Sequence, residues 1–232
     1  GVPGTDRDYG FWVGGGPLTL APLLLLGRSG APTAESFSVT FAELWRFCRS
    51  LPAIAWAVAL FAAFEAMILT LLPVYCLQQG FTAEIALAMV STVVVGDALL
   101  QLPIGALADY LPRRTLFLSC ALLLLGASLA VPLLMHTLLI WPVWVLFGAS
   151  AGGLFTLSLI LIGERYRDDA LVRANAHVAQ LWGIGCLIGP LVAGAGSQWI
   201  SGHALPWLMA AGALGLVVLL LRQGAFGAAQ PA

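Results

Sequence analysis

From Thr115 to Leu134 the chain runs without a single charged residue, and stretches of the same kind recur along most of its length. A helix of about 20 mostly apolar residues reaches across the hydrocarbon core of a bilayer. A fold that faces water on all sides has no place for several such runs. The candidate spans are Phe11–Leu26, which is short, then Pro52–Leu77, Ala83–Leu107, Thr115–Leu134, Leu138–Gly163, Ala174–Ile200 and Ala204–Leu221. Composition points the same way. Of 232 residues 60% are hydrophobic and 9% charged, against about 25% charged in soluble domains. Lipid must therefore be the solvent for much of the surface, and the expected fold class is an all-α polytopic membrane protein.

The ten basic residues are all arginine, and their placement sets the topology. Arg28, Arg46 and Arg49 lie between the first and second spans. Arg113 and Arg114 lie between the third and fourth, Arg165, Arg167 and Arg173 between the fifth and sixth, and Arg222 follows the last. The alternate connections carry only Arg7. If every span crosses once, the arginines collect on one side, which the positive-inside rule assigns to the cytoplasm. The C-terminus is then cytoplasmic and the N-terminus outside.

The long segment from Arg28 to Ser50 on that side has structure of its own. Thr40 and Glu43 have capping-box spacing, and Val39 and Leu44 are placed for a hydrophobic staple. Phe37, Phe41, Leu44, Trp45 and Cys48 recur at roughly helical spacing among Glu43, Arg46 and Arg49. This is the pattern of a short amphipathic helix at the membrane surface. It could link two helical bundles or be an ordinary juxtamembrane helix.

Several classes are disfavoured. A net charge of −1 argues against nucleic acid as a partner. Cys48, Cys76, Cys120 and Cys186 show no paired spacing, so neither a disulfide framework nor a metal site is read from them. His136, His177 and His203 are scattered. Neither a nucleophile-elbow serine nor a zinc-binding helix pattern is present, so the expectation is no enzyme and no cofactor.

Between the third and fourth spans stands Gly105-Ala-Leu-Ala-Asp109-Tyr-Leu-Pro-Arg113-Arg114. Physically this is a helix ending in an acid, a tight turn, and a paired-arginine start to the next helix. Gly105 would allow a close helix approach, Asp109 could accept from a helix N-terminus, and Arg113 could pair with a carboxylate across the mouth. Such a cluster forms a latch that breaks when the mouth opens. It resembles the signature loop of the major facilitator superfamily, matching at Gly105, Leu107, Ala108, Asp109, Arg113 and Arg114. Tyr110 departs from the usual basic residue, and Pro112 from the usual glycine, which makes the turn stiffer.

The resemblance extends to Leu72-Pro73-Val74-Tyr75 with Gly80-Phe81-Thr82, similar to the outer end of a facilitator helix one or seven. It extends also to Gly183, Gly185, Gly189-Pro190 and Gly194, similar to the glycine-rich helix five or eleven. Gly185, Gly189, Pro190 and Gly194 are read as helix-packing positions. Within the superfamily the chain looks most like the YcaD-like bacterial branch, linked to sugar or drug efflux.

A facilitator has two six-helix bundles joined by a long cytoplasmic loop. The resemblance therefore implies an outer loop and a remnant of helix six over residues 1–27, a cytoplasmic linker over 28–50, helices seven to twelve over 51–222, and a cytoplasmic tail over 223–232. The N-terminal bundle would be supplied by the rest of the same gene product or by a second half-size chain. The expected location is a bacterial inner membrane.

Glu65 and Asp97 are the acids well inside spans. A carboxylate at bilayer depth is costly unless it faces a cavity or a partner, so Glu65 is a candidate for proton coupling or substrate binding. A neutral, helix-bridging glutamic acid is the competing reading. Asp97 and Gln101 share a helix face and either line the cavity or brace helices near the latch, bracing being favoured. Arg173, His177 and Gln180 form one polar stripe; His177 could exchange a proton or simply pack. The resemblance suggests Glu164 as the partner of Arg113. Trp45, Trp141, Trp199 and Trp207 sit at span ends, while Trp56 and Trp182 lie further in, with packing the favoured role. The function expected is secondary transport of a small molecule by alternating access, proton-coupled and more readily efflux than uptake. A membrane scaffold or sensor is the alternative.

Overall fold

The computed structural model describes residues 40–199 and 202–222, and every regular element among them is an α-helix. The expected helix-six remnant, the staple residue Val39 and the tail after Arg222 lie outside the described residues. We label the helices α1 (Phe41–Ser50), α2 (Pro52–Thr70), α3 (Leu72–Gln78), α4 (Ala83–Tyr110), α5 (Arg113–Leu134), α6 (Ile140–Arg165), α7 (Asp168–Trp199) and α8 (Ala204–Arg222). Six of them, α2 and α4 to α8, are long and apolar enough to cross a membrane. The chain is thus an all-α polytopic membrane protein.

The boundaries follow local chemistry. At the start of α1, Thr40 and Glu43 form the capping box, the Thr40 N–H donating to Glu43 Oε2 at 2.9 Å. Such reciprocal capping is worth about 1 kcal/mol. Leu51 alone separates α1 from α2, and Pro52 opens α2 where its missing N–H is harmless. Gly80 sits at φ +87° between α3 and α4, a conformation glycine adopts without penalty. Leu111 is extended before Pro112, as a pre-proline residue prefers, and this ends α4 and starts α5.

One expected span is broken in two. Pro52–Leu77 is not one helix but α2 and α3, divided at Leu71. Pro73 lacks the N–H that would reach back to the Leu69 carbonyl and crowds that carbonyl. The Thr70 hydroxyl donates to Ala66 O at 2.6 Å, a back-bond that bends helices. The sixth expected span also differs at its start. The helix begins at Asp168, because its first turns carry Asp168, Asp169 and Arg173, which stay exposed and escape a hydropathy reading.

The spanning helices pack as two crossed pairs. α4 lies along α6, α2 lies along α7, and α5 packs against both α6 and α8. Exchanging α2, α4 and α5 for α6, α7 and α8 leaves the set of pairings α4–α6, α2–α7 and α5–α8 unchanged. Three spans reverse direction in the membrane, so this is the pattern of an inverted-topology repeat. The main core centres on Phe61, Phe64, Met67, Phe117, Trp144 and Phe147. A smaller cluster at one end joins Leu44, Phe47 and Leu51 to Ile54 and Val58 of α2 and Ala174, Val178 and Leu181 of α7.

Candidate functional site

The arginines define one end of the bundle. The helix directions bring Arg46, Arg49, Arg113, Arg114, Arg165, Arg167, Arg173 and Arg222 to the end where α1 sits. There Arg113, at the first turn of α5, donates to a single oxygen of Glu164 on α6, from Nη2 at 2.8 Å and from Nε at 3.1 Å. Asp109 stands 3.7 Å from the same guanidinium. Arg114 donates to the Leu220 carbonyl of α8 at 3.1 Å, a cation on a helix C-terminus. The paired arginines therefore tie α5 to α6 and to α8. Two expectations are corrected here. Asp109 meets Arg113 and accepts from no helix N-terminus among the described residues. Gly105 is not a tight crossing, since a Cβ there would meet only the Thr156 methyl at 3.9 Å, ordinary contact.

The acids of the spans come together at one depth. Glu65 stands thirteen positions beyond the start of α2, and Asp97 thirteen before the end of α4. Both ends lie at the arginine-rich face, so each carboxylate is about 20 Å of helix away from it. Asp97 thus falls at the centre of α4, and Gln101 lies one turn nearer the arginine-rich end. The two helices that carry them, α2 and α4, touch each other. Their surroundings differ. Asp97 Oδ1 accepts from Gln101 Nε2 at 2.8 Å and lies against Gly152 of α6, where any Cβ would overlap it. Glu65 is half-buried and makes no hydrogen bond or ion pair among the described residues.

His177 and Gln180 are elsewhere. His177 stands nine positions, about 13 Å of helix, before Cys186, whose Sγ donates to Ala62 O one turn from Glu65. His177 is buried, stacks on Phe47 of α1 with centroids 5.2 Å apart, and faces Gln180 Oε1 at 3.3 Å. It holds the amphipathic helix to α7 rather than joining the mid-membrane acids. Trp182 packs against Phe61 and Phe155. The Trp56 indole donates to Gly212 O at 2.9 Å.

Gly185 and Gly189 seat α7 on α2. A Cβ on Gly185 would fall 2.7 Å from Ala62 Cβ, and one on Gly189 2.7 Å from Ala63 Cα. Pro190 lies within the same helix. Gly194, expected at the same contact, differs: a Cβ there would meet nothing within 4 Å among the described residues. An apolar cavity of about 380 Å³ opens between α2, α7 and α8 beside Trp56, Ile188 and Gly212. It has almost no polar group to orient a ligand, and Glu65 does not line it.

Two features escaped sequence reasoning. Gly96, Gly148 and Gly152 make the α4–α6 crossing, where added Cβ atoms would overlap Val145, Val93 and Asp97. The Gly148-x-x-x-Gly152 spacing is the available signal. At the far end Tyr75 of α3 meets His203 Nδ1 at 2.8 Å, tying α3 to the α7–α8 turn; nothing in the sequence pairs these two.

A bundle of six spanning helices with an arginine–carboxylate contact at one end and acids at mid-depth is a polytopic membrane protein. The Major Facilitator Superfamily model matches residues 83–231. The chain belongs to that superfamily, whose members are membrane transporters. No curated protein matches the chain.

Proposed function

We propose that the chain is the C-terminal six-helix bundle, helices seven to twelve, of a proton-coupled secondary transporter for a small molecule, working by alternating access and exporting rather than importing. The observation that carries this reading is Glu65, a half-buried carboxylate at mid-membrane depth with no hydrogen-bond partner among the described residues and a second acid, Asp97, at the same depth on α4. Intramembrane acids without partners mark proton or substrate pathways. Asp97, fixed by Gln101 and seated on Gly152, has the surroundings of a brace.

Residues 1–27 would then hold an outer loop and part of helix six, 28–50 the linker to the other bundle, 51–222 the bundle itself and 223–232 a cytoplasmic tail. The other half of the cavity comes from an N-terminal bundle of the same gene product or from a second half-size chain. Resemblance to the YcaD-like branch favours sugars or drugs as substrates and a bacterial inner membrane as the location. The Arg113–Glu164 contact, with Asp109 beside it, serves as the latch at the cytoplasmic mouth.

The test uses the whole gene product in proteoliposomes under an imposed pH gradient, with a panel of sugars and lipophilic dyes. Glu65→Gln is expected to lose uphill movement while keeping substrate exchange. Uphill movement equal to that of the unaltered protein removes Glu65 as the proton carrier.

A further inference from the structure

We propose that α1 is a docking element for anionic phospholipid, with Phe41 and Trp45 seated in the interfacial layer and Arg46 and Arg49 held over the phosphate groups. The apolar arc of α1 is wider than the bundle covers. At 100° per residue, Leu44, Phe47 and Leu51 share one side, and these are the residues buried against α2 and α7. Phe41 and Trp45 continue the arc beyond that side and stay 77% and 56% exposed. Two large aromatic side chains left side by side on a surface helix call for a cover.

The level of the helix and its charge identify that cover. Leu51 alone separates α1 from α2, which is itself a membrane-spanning helix, so α1 cannot sit far from the bilayer surface. Next around the helix from the aromatic pair come Arg49 and Arg46. The Arg49 guanidinium lies over the Trp45 ring at 5.4 Å, which orients its N–H groups without consuming them. Neither arginine has an acidic partner among the described residues, and the nearby Glu43 carboxylate is engaged by the Thr40 N–H. Aromatic side chains belong at the headgroup level, and a planar guanidinium matches a phosphate in two-point contact. An aromatic pair bordered by two free guanidinium groups fits a lipid that offers both glycerol-level apolar surface and negative charge.

Two measurements on the full native polypeptide in lipid test this. The first compares spin-labelled phosphatidylglycerol with spin-labelled phosphatidylcholine in the motionally restricted shell around the protein. An arginine near an anionic surface strengthens attraction about fivefold. Arg46→Gln with Arg49→Gln is therefore expected to lower the preference for phosphatidylglycerol severalfold, while Arg46→Lys with Arg49→Lys keeps most of it. An unchanged preference in the glutamine variant overturns the proposal.

The second places a nitroxide at position 41 with the native cysteines replaced. Collisions with oxygen exceeding those with a water-soluble nickel chelate support the proposal. Free access of the chelate would put α1 in water, and exclusion of both would mean that protein covers it. Either of those outcomes overturns the lipid assignment.

Discussion

Arg113 of α5 and Glu164 of α6 meet through two N–H groups on one carboxylate oxygen, at 2.8 and 3.1 Å. Both side chains are partly exposed, 28% and 49%, so the contact adds only about 0.2–1 kcal/mol to stability. Its value as a latch has to be read in transport instead. Arg113→Glu and Glu164→Arg alone should each depress transport with little change in thermal stability, and the double exchange should restore part of it. Absence of rescue in a transport assay removes the direct pairing from the mechanism.

The glycine crossings predict a sign change along the sequence. Gly152→Ala forces a methyl into Asp97, and overpacking of this kind costs about 1–3 kcal/mol. Gly189→Ala meets the backbone of Ala63 in the same way. Gly194→Ala should be neutral or stabilising by up to about 1 kcal/mol, because alanine is the better helix former. Thermal unfolding of the three variants in detergent checks the order. Equal midpoints would refute the packing account.

Asp97→Asn separates a brace from a charge. The amide oxygen can accept from Gln101 Nε2 as the carboxylate does at 2.8 Å, and its shape still fits over Gly152. The variant should keep both stability and transport, whereas Asp97→Leu should lose about 1–3 kcal/mol by stranding the Gln101 amide. Loss of transport in a stable Asp97→Asn protein would assign the charge itself a role.

At the other end, Tyr75→Phe removes the hydroxyl that meets His203. A loss of about 1 kcal/mol is expected, seen as a lower unfolding midpoint and as faster proteolysis or hydrogen exchange confined to α3 and the α7–α8 turn. Uniform change across the protein would argue against a local tether.

The six spanning helices were legible because their signal is additive: each apolar residue from Thr115 to Leu134 adds to the same hydropathy sum. The capping box at Thr40 and Glu43 was legible because it is local. Arg113 with Glu164 was reached through resemblance, since 51 positions separate the two. The break at Leu71 was not legible. Pro103, Pro132 and Pro190 are carried inside continuous helices, so proline alone does not announce an interruption. Nor could a sequence say which glycines touch another backbone. Gly189 and Gly194 lie in the same helix and differ only in what stands opposite.

Where backbone rests on backbone, as at Gly148 on Val93 and Gly185 on Ala59, there is no long side chain to swivel aside and absorb a shift. α4 with α6 and α2 with α7 are in that sense riveted beams. A frame so built resists shear between its own ribs and turns as one piece. The compliance that a transport cycle demands falls on its fittings: the joint at Leu71, the one-residue strap at Leu51, and the ionic clasp at Arg113.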